Sequence, residues 1–128
     1  MNILLDTHAM LWYLEGDFQK LSDKSKYEIE ATSNSKLVSI ASLWEVTIKI
    51  NIGKLKLKND IGGLHELVIT NGFRILDINL QHLKANINLE LFHRDPFDRL
   101  LIAQAIAGDF HIVTKDPNFS LYPIKTIW

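Results

Sequence analysis

Five short apolar runs punctuate this chain, and stretches with helical spacing separate them. The runs are Ile3-Leu4-Leu5, Leu37-Val38-Ser39-Ile40, Phe73 to Leu76, Phe110 to Val113 and Ile124 to Ile127. Each is too short for a core helix and reads as a strand, the first two as buried strands. Strands of that kind, alternating with helices, predict an α/β fold. The expected form is a three-layer α/β/α sandwich on a mostly parallel sheet of about five strands.

The intervening segments carry their own start and stop signals. Met10, Leu11 and Leu14 have helical spacing after Asp6, and a polar helix is predicted from about Asp23 to Thr32. Ser42 to Ile52 presents Leu43, Val46 and Ile50 on one face and ends at Gly53, where a left-handed residue is wanted. Lys54-Leu55-Lys56-Leu57-Lys58 alternates but suits a loop with two apolar anchors. A helix is expected from Asp60 to Asn71, closed by Gly72, and another from Leu80 to Leu89. Asp95-Pro96 opens the last one, since proline in the first helical turn loses no hydrogen bond, and Gly108 is expected to stop it.

At 128 residues, with no internal repeat and no linker composition, the chain reads as one domain over residues 1–128. The balance of 14 basic and 15 acidic residues leaves a net charge of −1, so any contact with a polyanion is local. The absence of cysteine removes disulfides, thiolate metal sites and cysteine nucleophiles, and fits a reducing cytoplasm. The apolar start is cut off at Asp6 and no run reaches the roughly 20 apolar residues of a membrane span, so no membrane association is expected.

In a parallel sheet, ligands gather at the carboxyl ends of the strands. Asp6 ends the first strand, Glu45 lies at the start of the helix after the second, Asp98 begins a later helix, and Asp116 follows the fourth strand, with Asp95 nearby. Singly, each has a structural use. Asp6 and Asp95 suit helix caps, Ser42-Leu43-Trp44-Glu45 matches a capping box, and Asp116-Pro117-Asn118 suits a turn. Capping, however, requires no convergence, and acids gathered on one rim repel each other. With oxygen donors only, the cation suited to lie between them is Mg²⁺ or Mn²⁺, as one ion or two, and such an ion supports phosphodiester hydrolysis.

The chain resembles the PIN-domain nucleases, in particular the VapC-type toxins of bacterial type II toxin–antitoxin pairs. The resemblance lies in Leu4-Leu5-Asp6-Thr7-His8-Ala9 with Leu11-Trp12, in Ser39 to Val46 with Lys49, in His93 to Ala105 containing Asp95-Pro96-Phe97-Asp98-Arg99, in Val113-Thr114-Lys115-Asp116, and in Trp128. It implies a metal-dependent endoribonuclease acting on single-stranded or looped RNA. Asp6, Glu45, Asp98 and Asp116 would be its metal-binding acids, with Thr114 and Asp95 in support. It also implies a small antitoxin whose tail covers the acids, and a homodimer.

Other residues have two readings. Lys49, four residues after Glu45, suits either a helical ion pair or a phosphate contact. Arg99 and Lys115 either balance the acids or touch RNA, and Arg94 with Lys54, Lys56 and Lys58 suits a local basic rim or solvated loops. His8 and His93 lie beside the acids without a metal-ligand spacing, while His65, His82 and His111 read as surface or strand residues. Trp12, Trp44 and Trp128 read as core or interface. Two rival functions share this architecture: a phosphorylatable receiver, which normally has paired acids after its first strand, and a catalytically silent interaction module.

Overall fold

In β1 (Asn2–Leu5), Ile3 and Leu5 point to one side of a sheet and Leu4 to the other, and all three are fully buried. This period-2 alternation divides the core into two layers. The computed structural model describes residues 1–128. After β1 come α1 (Thr7–Leu14), α2 (Asp23–Glu30), β2 (Ser35–Ser39), α3 (Ile40–Asn51), α4 (Ile61–Thr70) and β3 (Arg74–Leu76). The chain continues through α5 (Leu80–Ile87), α6 (Pro96–Gly108), β4 (His111–Val113) and β5 (Thr126–Ile127).

The five strands form one sheet in the order β3-β2-β1-β4-β5, and every pair is parallel, where the sequence predicted only a mostly parallel sheet. Ile3, Leu5, Val38 and Val113 pack on one face against Met10 of α1, Ile29 of α2, Val46 of α3 and Val68 of α4. Leu4, Leu37 and Ile112 pack on the other against Leu101, Ile102 and Ala105 of α6, with Phe119 and Tyr122. No helix is long and apolar enough to cross a membrane.

This strand order positions the site. From β1 the chain steps outward through β2 to β3, then returns to the opposite side of β1 for β4. The order therefore reverses between β1 and β4, which is where the crevice at the carboxyl ends opens. A receiver-type sheet places its third strand beside its first instead. The register aligns Leu5 with Val113 and with Val38, so Asp6, Thr114 and Ser39, the last residue of β2, stand at one level.

Several boundaries differ from expectation. Helix α3 starts at Ile40 because Ser39, the last residue of β2, is itself the N-cap and accepts from the Ala41 N–H. No loop separates strand from helix, and Glu45 sits in the middle of α3. Gly53 and Gly72 follow their helices with φ of 74° and 80°, as their sequence positions indicated. Gly108 is the last residue of α6, and Asp109 takes the left-handed turn with φ 55°. The alternating lysine segment is a loop anchored by half-buried Leu55 and Leu57.

Candidate active site

Asp6 and Thr114 are the first residues beyond two adjacent strands. The Asp6 N–H donates to the Val113 carbonyl at 3.0 Å, extending the ladder by one step. Asp6 Oδ1 accepts from the Ala9 N–H at 2.8 Å and so caps α1, while Oδ2 accepts from the Thr114 hydroxyl. Thr114 Oγ1 in turn accepts from the Asp116 N–H at 3.0 Å, and Asp116 Oδ1 caps the Pro117–Leu121 turn through the Asn118 N–H. Burial pushes the Asp6 carboxyl up, against the lowering effect of its two donors and of nearby His8.

Glu45 reaches the same region from α3. The capping box expected over Ser42 to Glu45 does not form, because the helix has already begun at Ile40. Ser42 is instead buried with its Oγ 3.0 Å from the Thr7 hydroxyl, and Thr7 donates to Glu45 Oε1 at 2.7 Å. Glu45 Oε2 lies 2.7 Å from the Lys49 ammonium, so the helical ion pair predicted from spacing is present. The sequence assigned Ser42 only to that capping box and gave Thr7 no role of its own, although a hydroxyl next to a strand-end aspartate is a usable signal.

Asp98 lies in the first turn of α6, and its N–H donates to Asp95 Oδ1 at 2.8 Å, which makes Asp95 the cap. Asp98 Oδ2 is 3.3 Å from His93 Nε2. Its Oδ1 has no protein donor, and neither has Asp116 Oδ2. Arg99 is directed elsewhere. Its guanidinium donates to the carbonyls of Glu90 and Leu89 and to the Tyr122 hydroxyl, holding the segment before α6.

The electrostatics tie these acids together. Burial pushes the Asp98 carboxyl up to about 7, reinforced by the charges of Asp95, Asp116, Asp6 and Glu45. Among the five acids only Glu45 has a lysine or arginine within salt-bridge distance. No three acid or imidazole side chains stand close enough to complete a metal shell as they are. The donor chemistry nevertheless fits a divalent ion: hard carboxylate oxygens, two of them unpartnered, share one rim within electrostatic reach of Asp98 and lie beside buried hydroxyls.

A PIN domain family model matches residues 3–125. The chain belongs to the PIN domain family. Among solved structures this PIN domain is similar to a chain of VapBC2 from Rickettsia felis bound to a DNA fragment from its promoter, at 20% identity and a TM-score of 0.74, covering 98% of this chain and 97% of that one. A chain of DNA-bound VapBC from Salmonella typhimurium matches at 18% identity and TM-score 0.70, covering 98% and 96%. One of FitAcB from Neisseria gonorrhoeae matches at 17% and 0.62, covering 97% and 95%. At these identities the likeness is one of fold. No curated protein matches significantly by sequence.

Around the acids of the PIN domain, Asp6, His8, Trp12, Lys115, Asp116 and Pro117 line an open cleft of about 350 Å³. A larger hollow of about 640 Å³ is lined by Leu89, Phe92, Ile106 and Tyr122 among others and contains none of these aspartates. His8 is exposed and stacks on Trp12, which in turn meets the edge of Trp128. Of the two places expected for Trp44, core or interface, the core is excluded: it is 58% exposed and packs edge-on against Phe97. His82 is buried rather than superficial, because its ring completes a reciprocal cap with Asn79 at the start of α5. Lys58 is tied to Glu15, so the lysine loop braces the end of α1.

Proposed function

We propose that this PIN domain, over residues 1–128, is a Mg²⁺- or Mn²⁺-dependent endoribonuclease acting on single-stranded or looped RNA, and the toxin of a toxin–antitoxin pair. The observation that carries the reading is the gathering of acids from four separate parts of the chain at the carboxyl-end crevice between β1 and β4, where Thr114 ties Asp6 to the Asp116 backbone. Asp6, Glu45, Asp98 and Asp116 would hold one or two ions, with Thr114 and Thr7 orienting Asp6 and Glu45 by hydrogen bonds and Asp95 steadying the first turn of α6. A divalent ion held there supplies an activated water and stabilises charge on a phosphodiester oxygen. Exposed Lys115, beside Asp116 in the cleft, is placed to meet a phosphate, whereas Lys49 is occupied with Glu45 and Arg99 with backbone carbonyls. The choice of RNA follows from the family resemblance. Incubating structured and unstructured RNA with the protein in Mg²⁺, Mn²⁺ or EDTA tests it. Cleavage that persists in EDTA refutes the metal mechanism, and failure to cut any RNA favours the silent module.

The same reading includes a cytoplasmic setting and two partners. Solved relatives of this fold occur in VapBC and FitAcB assemblies, which supports a small antitoxin. A basic antitoxin segment would place arginine or lysine among the carboxylates, where charge-assisted hydrogen bonds are strong. Co-purification with the product of an adjacent small gene, and loss of inhibition when its basic residues are removed, would bear this out. A homodimer is supported by the exposed apolar side chains Leu80, Leu83, Ile87 and Leu91 along and beyond α5. Light scattering that returns only the 14.7 kDa monomer would rule it out.

A further inference from the structure

The Tyr122 hydroxyl, whose ring is buried in the core beside α6, sits at the centre of a network with more partners than its burial alone requires. Three nitrogens surround its oxygen: Arg99 Nη1 at 3.0 Å, the backbone N–H of His93 at 3.3 Å, and His93 Nδ1 at 2.8 Å. The guanidinium and the backbone amide can only donate, and a phenol oxygen has two lone pairs and one proton. Those two donors therefore occupy both lone pairs. The phenolic proton is left for His93 Nδ1, which must accept it. A neutral imidazole that accepts at Nδ1 carries its proton on Nε2, and Nε2 is the atom 3.3 Å from Asp98 Oδ2.

We propose that Arg99, Tyr122 and His93 form a positioning relay that locks His93 as the Nε2–H tautomer and turns that N–H onto Asp98 Oδ2, leaving Asp98 Oδ1, which no protein group donates to, as the oxygen that would hold a divalent ion. The part concerning the ion rests on the functional reading above, and the tautomer does not. His93 is a positioning residue here, acting through Asp98, much as outer-shell partners orient metal ligands elsewhere. The surroundings favour a fixed geometry. The His93 side chain is only 12% exposed, its ring packs against Tyr122, and Arg99 is anchored by the Glu90 and Leu89 carbonyls as well as by the phenol. The relay also accounts for the direction of Arg99 away from solvent, where a phosphate-binding arginine would be expected to stay free.

The first arm of the test needs neither metal nor RNA. Long-range ¹⁵N correlation spectra of the metal-free protein, recorded where His93 is neutral, distinguish the two tautomers directly. Wild type should show Nε2–H, and Tyr122→Phe should shift His93 toward a mixture with Nδ1–H. An Nδ1–H or mixed signal in wild type, or an unchanged tautomer in Tyr122→Phe, overturns the relay. The second arm is calorimetric titration of Mn²⁺ into metal-free protein. His93→Ala should weaken binding by roughly 10- to 100-fold, the usual cost of losing an outer-shell partner. His93→Gln, which keeps an amide donor for Asp98, should recover part of the loss, and in RNA cleavage both should lower kcat more than they raise KM. Unchanged Mn²⁺ affinity in His93→Ala overturns the positioning role. If wild type binds no Mn²⁺ and cuts no RNA, the nuclease reading and the ion part of this proposal fail together, while the tautomer result still decides the relay.

Discussion

Asp6 and Asp98 carry opposing demands. Asp6 Oδ1 caps α1, which asparagine does about as well, and its other oxygen accepts from Thr114, which can instead accept from an amide N–H. Glu45 offers acceptors to Thr7 and Lys49, and glutamine keeps the first while surrendering an ion pair worth up to about 1 kcal/mol. Asp6→Asn and Glu45→Gln should therefore stay folded and lose cleavage, Asp6→Asn with an equal or higher Tm in EDTA because its buried charge is gone. Melting curves beside cleavage assays check both, and normal cutting by either variant removes that acid from the mechanism. Asp98 makes a pH prediction. Its carboxyl is raised to about 7 in the fold, against about 3.9 in an unfolded chain. Between those values the native state binds more protons than the unfolded state, so its contribution to stability is greatest at low pH and falls as pH rises through that window. Asp6, also raised by burial, adds to the same slope. A pH series of Tm values in EDTA should show this decline, and Asp98→Asn should flatten it; an identical slope in the variant would assign the dependence to other groups.

Helix ends are the elements where sequence reading and structure part most clearly. Gly108 carries the residue type that usually ends a helix, yet the turn falls one position later, at Asp109. The reason lies in packing: a Cβ at Gly108 would stand 2.3 Å from Phe110 Cζ, so glycine is needed there to admit the ring. Asp109 is left with a left-handed backbone and a negative charge at the end of a helix where the dipole favours positive charge. Asp109→Gly should thus raise stability by about 0.5–1 kcal/mol, roughly 1–4 °C in Tm for a domain of this size. Differential scanning calorimetry checks it, and a lower Tm would mean that the carboxylate makes a compensating contact. The start of α3 has the same lesson. Ser42 to Glu45 spells a capping box, but Ser39 caps first because β2 runs directly into the helix, a tertiary fact that local spacing does not contain. The central strands were legible, since Ile3-Leu4-Leu5 and Leu37-Val38 are buried on both faces and must be apolar there.

At the scale of the whole molecule, the site exists because the strand order reverses beside β1, which brings residue 6 level with residue 114. Strand-end acids were readable from a single chain once a parallel sheet was inferred, and so was the Glu45–Lys49 pair. Tyr122 was not: it lies 29 residues from His93 in sequence, and only the packing of the C-terminal segment against α6 brings the two together. Local pattern could not choose between core and interface for Trp44 for a related reason, since its apolar neighbours Leu43 and Val46 face inward around the helix while it faces out. The reversed order also makes the acids a global rather than a local feature, because they come from four separate parts of the chain and have no common site in the unfolded state. Metal binding should then be linked to folding. An ion at about ten times its dissociation constant stabilises the native state by roughly 1.4 kcal/mol, or about 2–6 °C in Tm for a domain of this size. Wild type should show that upward shift with Mg²⁺ or Mn²⁺. Asp6→Asn, Glu45→Gln and Asp98→Asn should show much less of it, each from its own metal-free baseline. Thermal scans at matched ionic strength, with a monovalent salt as control, separate this from general screening of the acidic rim. If all three variants respond to the ion as wild type does, the ion binds elsewhere and these acids have only structural roles.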